Sequence, residues 1–451
     1  MDDKTKIFAK MPVSRAVLTL AIPTIISQLI TVVYNMADTY FIGQLNDPAQ
    51  VAGAVVCVPA FLALTAFANL FGIGGASKIS RSLGQGDLET AKKSASFSIW
   101  SAVAVGLVYG FIMLFARPVV LPLLGARPDT MDASSDYLFW TVTIGAIPTV
   151  LNTCLAHLVR SEGYAKQSAF GIAMGGVLNI LLDPIFIFLL DLEIAGAAMA
   201  TMISNCCSVA FFVIFIYRIR KTTVITASPK YFTLKEGIPS EIIVGGIPSC
   251  IGMLLGCVSN AILNNLVTAA STEAMAGMGI AKKIDTVAFA VAQGMTQGTL
   301  PLIAYNYASG NRKRMNDSIK TTLTYALSLA VVSMVVLYFF AGPITAAFID
   351  DAKTVEYGKM FLQVICFICP STTINFMITT VFQATKQKVQ PIVLSILRKG
   401  TLDIPLMLIL GKFWGLKGIA NAIPISDWLA CAMAFAMFIP FYRRMKREEK
   451  Q

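Results

Sequence analysis

The sequence predicts an all-α polytopic membrane protein, with twelve transmembrane helices in two six-helix lobes related by a parallel internal repeat. Three observations carry this reading. Of 451 residues, 56% are hydrophobic and only 14% charged, against about 25% charged in a soluble domain. Charge-free runs of spanning length recur along the whole chain. The second half also echoes the first at matched positions.

Taken in order, residues 1–14 mix acids and lysines and read as a cytoplasmic N-terminus, too polar for the apolar stretch of a signal peptide. The first run, 16–37, contains Pro23, Gln28 and Asn35 and reads as a retained first helix. Runs free of Asp, Glu, Lys and Arg follow at 48–77, 94–116, 137–159, 194–217, 242–272, 286–311, 321–349 and 360–385. Three more spans, 167–190, 389–411 and 416–440, are interrupted by acids. Each is near the ~20 residues that cross a bilayer. The longest polar interval runs from Arg218 to Glu241. It divides the chain into an N-lobe of helices 1–6 (15–217), a cytoplasmic linker (218–239) and a C-lobe of helices 7–12 (240–442), with a basic tail at 443–451.

Placing the N-terminus in the cytoplasm puts 28 of the 36 Lys and Arg residues on that side. The eight outer ones include Lys282 and Lys283, read as lying ahead of the helix that starts at 286. By the positive-inside rule both termini are expected in the cytoplasm. The net charge of +11 therefore orients the chain and gives no reason to expect a nucleic-acid partner. The nine cysteines fall in apolar runs and read as small buried hydrophobes, Cys366 and Cys369 included. His157, the single histidine, reads as structural.

The repeat is specific in register. Ala21-Ile22-Pro23 answers Gly246-Ile247-Pro248, and each proline is followed twelve residues later by an asparagine, Asn35 or Asn260. Gly74 and Gly86 are spaced like Gly298 and Gly310, and the second glycine of each pair reads as closing a cytoplasmic turn. Gly196 answers Gly418. Six spans per repeat is an even number, so both halves enter the membrane from one face.

One stretch carries chemistry by itself. Asn179 and Asp183 are four apart in an apolar run and share a helix face. A carboxylate at such depth costs roughly 2.5–3.5 kcal/mol on insertion scales and calls for partners inside the bundle.

Several motifs together resemble the multi antimicrobial extrusion (MATE) family, in its bacterial multidrug-exporter type. They are Ile22-Pro23, the stretch from Tyr34 through Asp38 to Gly43, Gly74-Gly75, Leu83 to Asp87, Arg160 to Gly163, Asn179 to Pro184, Gly196 to Thr201 and Gln297 to Tyr307. The resemblance covers essentially the whole chain. It implies a V-shaped pair of lobes with alternating access. It also implies export of amphipathic or cationic organic compounds against inward H⁺ or Na⁺, and a bend at Pro23 that changes as the cation site loads.

The resemblance adds Asp38 and Thr201 to Asn179 and Asp183 as a cation-coupling site in the N-lobe. Tyr34, Asn35, Met36, Asn152 and Asn205 are candidate lining for the substrate cavity. Two carboxylates in a low-dielectric cavity do not both ionise cheaply, so they hold a proton or share a cation. If the ion is Na⁺, Asp38 and Asp183 are its metal ligands. Counting from the paired asparagines, Asp38 answers Leu263, so no equivalent acid exists in the second half. No cofactor is expected, and no enzyme chemistry. The expected partners are small-molecule drugs and the lipid of the inner (cytoplasmic) membrane, around a monomer. The runner-up is a lipid-linked precursor flippase or a specific metabolite exporter of the same superfamily. The scarcity of Lys and Arg within the spans argues against the flippase.

Overall fold

The computed structural model describes residues 3–45 and 47–448. Met1 and Asp2 of the N-terminal segment and Lys450 of the basic tail lie outside them. The helices are α1 (Asp3–Ala9), α2 (Val13–Gly43), α3 (Pro48–Gln85), α4 (Leu88–Leu124), α5 (Met131–Leu138), α6 (Ala146–Ser161), α7 (Ala165–Pro184) and α8 (Glu193–Arg218). They continue as α9 (Ile238–Thr268), α10 (Thr272–Ala308), α11 (Arg312–Phe339), α12 (Ala341–Ala346), α13 (Ala352–Ile365), α14 (Ile368–Ala384), α15 (Gln390–Ile396) and α16 (Asp403–Glu448).

Among the described residues, nine helical stretches are long and apolar enough to cross a membrane, and two bent pairs each add a span. The last of the nine holds two spans, because Gly415 (φ 58°) breaks α16. The spans therefore number twelve, as the apolar runs predict. Their irregularities repeat as well. The fourth span of each half is bent, by 50° between Met131–Ile144 and Ala146–Ser161, and by 41° between Ala352–Ile365 and Ile368–Ala384. The fifth span of each half contains a π-helical turn, Ile185–Leu189 or Leu397–Leu402.

The paired turns are equivalent in backbone detail. Gly86 and Gly310 are left-handed, with φ 78° and 76°, a conformation glycine adopts without steric cost. Each is followed by a helix cap. The Asp87 carboxylate accepts from the Thr90 amide, and the Asn311 side chain from the Arg314 amide, satisfying donors that a helix start leaves open.

By packing, the chain forms two compact units whose borders differ from those of the sequence repeat. Unit 1 comprises Met1–Ile7 and Ile26–Cys250; unit 2 comprises Phe8–Ile25 and Ile251–Gln451. Of the three crossings, one falls between Ile7 and Phe8 in α1, and two fall within a first helix, two residues after Pro23 in α2 and two after Pro248 in α9. The reason is glycine. In unit 1, Gly74 of α3 receives the backbone of α9 at Ile242 and Gly246. In unit 2, Gly298 of α10 receives α2 at Leu20 and Ala21. Each half's second helix thus holds the start of the other half's first helix.

Residues 219–237 follow the surface of unit 1. Val224 and Ile225 are buried in its core. Glu162 accepts from the Thr223 hydroxyl at 2.7 Å and the Val224 amide at 2.5 Å. Trp100 donates to the Ala227 carbonyl at 2.9 Å, and Lys93 pairs with Glu236 at 2.9 Å.

One sequence reading is corrected. Lys282 and Lys283 do not sit in an outer loop. The turn comes at 269–271, and α10 begins at Thr272, so both lysines and Asp285 lie inside a helix. Arg398 and Lys399 lie in the π-helical turn of the fifth span. Charged side chains interrupt an apolar run without ending the helix when carboxylates and hydroxyls elsewhere in the bundle compensate them.

Candidate functional site

The polar centre of unit 1 is built from four helices, α2, α5, α7 and α8. α7 supplies Asn179 and Asp183, with 1% and 0% of their surface exposed. Their i,i+4 spacing places the Asn179 amide nitrogen 3.2 Å from Asp183 Oδ1, to which it donates. The same nitrogen donates to Thr201 Oγ1 on α8 at 3.3 Å. Pro184 follows Asp183 directly, and the chain then widens into its π-helical turn. Such turns re-register a helix locally and recur at functional sites.

Asp38 comes from α2 and is half-buried. The Tyr137 hydroxyl of α5 donates to its Oδ2 at 3.4 Å. Tyr137 also lies within electrostatic reach of both Asp38 and Asp183, and the two carboxylates are within reach of each other. Three acceptor oxygens at this centre, Asp38 Oδ1, Asn179 Oδ1 and Asp183 Oδ2, are buried without any hydrogen-bond donor. A buried oxygen left so costs about 1–3 kcal/mol, more when charged.

That donor set suits a small hard cation or a proton. Carboxylate, amide and hydroxyl oxygens are the ligands such ions take. Among the described residues no group of three or more His, Cys, Asp or Glu assembles, which is the pattern a transition-metal site uses.

The other residues singled out in the sequence fall as follows. The Tyr34 ring rests on Gly176 of α7, where a β-carbon would come within 3.0 Å of it. Asn35 is exposed, and its carbonyl accepts from Thr39 at 2.9 Å. Met36 is half-buried on the same helix. Asn152 of α6 donates to the Asn205 side-chain oxygen of α8 at 2.9 Å, and Asn205 donates onward to the Thr149 hydroxyl at 3.1 Å. Pro23 lies in α2 on the unit 2 side of the crossing, and α2 runs through it as one helix. His157 is buried against α3, with Nε2 3.1 Å from Asn69 Oδ1.

Sequence reasoning missed Tyr137 and Thr149. Tyr137 stood at the first position of an apolar run, and nothing in its neighbours marked it. Only the fold brings its hydroxyl to Asp38.

Comparisons with known proteins give the family and the fold. The MatE family model matches residues 23–185 and again 248–409. The two matches start at Pro23 and Pro248, the prolines that the repeat pairs. Multidrug export protein MepA of Staphylococcus saprophyticus is 32% identical over 443 residues, covering 98% of this chain and 97% of that protein. The protein of the same name from Staphylococcus aureus strain MRSA252 has the same identity and coverage. Among solved structures, a MATE in complex with MaL6 superposes with TM-score 0.92 at 22% identity. An outward-facing multidrug resistance MATE transporter of the MOP superfamily gives 0.91 at 23%. Both cover 100% of each chain and speak for the fold.

Proposed function

As this chain belongs to the MatE family, we propose that it is a secondary active multidrug exporter of a bacterial cytoplasmic membrane, moving amphipathic or cationic organic compounds outward against inward H⁺ or Na⁺. The observation that carries the coupling site is the set of three donorless buried oxygens on Asp38, Asn179 and Asp183. The near full-length likeness to proteins named for multidrug export supports the substrate class.

In this reading the coupling ion is cargo. Asp38 and Asp183 carry its charge compensation, Asn179 offers its carbonyl oxygen, and Thr201 holds the Asn179 amide in place. The ion enters a centre whose oxygens lack donors, so loading relieves a desolvation cost that the empty site carries. Each charge entering down ~100 mV contributes about 2.3 kcal/mol, roughly 50-fold in substrate accumulation. Both termini face the cytoplasm, the protein acts as a monomer, and Pro23 is the place where α2 adjusts.

The flippase alternative loses one of its objections, since Lys282, Arg398 and Lys399 do lie within spans. It gains little, because Arg398 and Lys399 are paired with Asp427 and Asp403.

The test is efflux of a fluorescent organic cation from proteoliposomes under an imposed Na⁺ gradient and, separately, an imposed pH gradient. One gradient should drive efflux and identify the ion. Efflux under neither gradient would overturn the exporter reading.

A further inference from the structure

The segment 219–237 joins two spans, α8 ending at Arg218 and α9 starting at Ile238. Its two ends are therefore held at one face of the membrane, and the segment lies along that face. Its sequence is basic. Lys221, Lys230 and Lys235 follow Arg218 and Arg220, and Glu236 is the single acid.

The depth of the segment is set by α4, because residues 227–236 run back along the basic end of that helix. The Trp100 indole donates to the Ala227 carbonyl at 2.9 Å, and the Ser96 hydroxyl to the Ser228 carbonyl at 3.1 Å. Phe232 stacks on Phe97 with ring centroids 6.0 Å apart, and the Lys92 ammonium lies 5.5 Å from the Tyr231 ring centroid. The charge-free run of α4, 94–116, is about 34 Å long, close to the ~30 Å of a hydrocarbon core. Trp100 lies in the second turn of that run, at the depth where tryptophan meets the headgroups. Leu107, Val108, Phe111 and Phe115 continue its face of the helix, each at least 55% exposed. Trp100 therefore belongs to a lipid-facing stripe, and the segment borders lipid beside it.

The surface left open is mixed in character. Val224 and Ile225 anchor the segment in the core of unit 1, while Leu234 is 71% and Phe232 40% exposed. The cations Lys230 and Lys235 stand exposed next to them in sequence, as do Arg218 and Lys221 at the other end of the segment. Among the described residues no hydrogen bond or ion pair engages these four charged groups. Glu236 neutralises none of them, because it pairs with Lys93. Cations without counter-ions, beside apolar side chains at headgroup depth, complement a lipid that carries a negative headgroup. A soluble acidic partner would match the cations and gain nothing from the lipid border.

We infer that the segment 219–237 is a docking surface for anionic phospholipids, with the four cations on the headgroup phosphates and Phe232 and Leu234 resting in the membrane surface. The inference goes beyond the exporter reading and is independent of it, since it needs only that the chain spans a membrane.

Trp100 serves as the reporter. A chain with Trp100 as its single tryptophan (Trp140→Phe, Trp414→Phe, Trp428→Phe) is reconstituted with brominated phosphatidylglycerol or brominated phosphatidylcholine, each diluted in unbrominated phosphatidylcholine. Bromine quenches tryptophan on contact, so the two quenching curves give the ratio of lipid affinities beside Trp100. Phosphatidylglycerol should be favoured at least about fivefold, the effect of one basic residue near an anionic surface. Lys221→Gln/Lys230→Gln/Lys235→Gln should bring the ratio close to one, and Lys221→Arg/Lys230→Arg/Lys235→Arg should retain it. Lys313→Gln/Lys320→Gln, which lowers the net charge in unit 2, should leave it unchanged. Salt at about 1 M, which shortens the screening length to about 3 Å, should abolish the preference. A ratio of one at low salt overturns the inference and leaves the basic face to solvent or an acidic protein. A ratio unmoved by the three glutamines, or lowered as far by Lys313→Gln/Lys320→Gln, overturns it too. If the single-tryptophan chain does not fold, the quenching difference between the wild type and Trp100→Phe gives the same ratio.

Discussion

Gly74 of α3 and Gly246 of α9 lie against each other with no space for a side chain on either. A β-carbon on Gly74 would overlap the Ile242 carbonyl oxygen and stand 3.1 Å from the Gly246 nitrogen; one on Gly246 would overlap the Leu70 carbonyl oxygen. The obstacle is backbone, so no rotamer change relieves it. Gly74→Ala and Gly246→Ala should each destabilise the protein by about 1–3 kcal/mol or more, the range of overpacked cores. Gly256, also in α9, has nothing within 4 Å of its β-position. Gly256→Ala should stabilise by up to about 1 kcal/mol through helix propensity. Thermal unfolding in detergent checks all three, and a melting point for Gly74→Ala at or above that of the wild type would contradict the packing account.

At the coupling centre, Asp38→Asn and Asp183→Asn should each abolish gradient-driven efflux while the protein still inserts at normal levels. Asparagine keeps the shape and cannot carry the charge. Asn179→Leu acts differently. It removes the donor to Asp183 Oδ1 and to Thr201 together, so it should lower stability by about 1–3 kcal/mol as well as efflux. Dye efflux and melting temperature, measured on the same preparations, separate the two effects. Efflux at the wild-type level from both aspartate variants would refute the site.

The Arg398–Asp427 pair is buried, and breaking it from one side strands a charge. Arg398→Met or Asp427→Leu alone should cost about 3–5 kcal/mol, and the double substitution should recover most of the loss. A double-mutant cycle on thermal stability reads this directly. Strictly additive losses would mean that the two side chains do not depend on each other.

Glu162 ties residues 219–237 to unit 1 through Thr223 and Val224. Hydrogen bonds to a charged group contribute about 1.5–3 kcal/mol. Glu162→Ala should therefore free the segment, and limited trypsin digestion should cut at Lys221, Lys230 and Lys235 markedly faster than in the wild type. An unchanged digestion rate would show that Trp100 and Lys93 hold the segment without Glu162.

The sequence by itself determined the class, the twelve spans and the repeat. These depend on local hydropathy and on residue spacing, and both are written along the chain. Asn179 and Asp183 were legible for the same reason, because helix periodicity alone stacks residues four apart. The paired turns at Gly86 and Gly310 were legible from glycine spacing. What lies around Asp183 was decided by tertiary structure. Tyr137 reaches Asp38 across 99 positions of sequence, and Asn179 reaches Thr201 across 22.

Tertiary structure also decided where the charges sit. An unpaired lysine inside a span is costly, so the sequence pattern assigned Lys282 and Lys283 to a loop. In the folded chain Lys282 stands inside α10 one turn from Asp285, while Arg398 and Lys399 pair with Asp427 and Asp403, partners that hydropathy does not see. The exchange of helix starts between the two units is likewise set by Gly74 and Gly298, whose missing side chains leave room for a particular backbone only once the chain has folded.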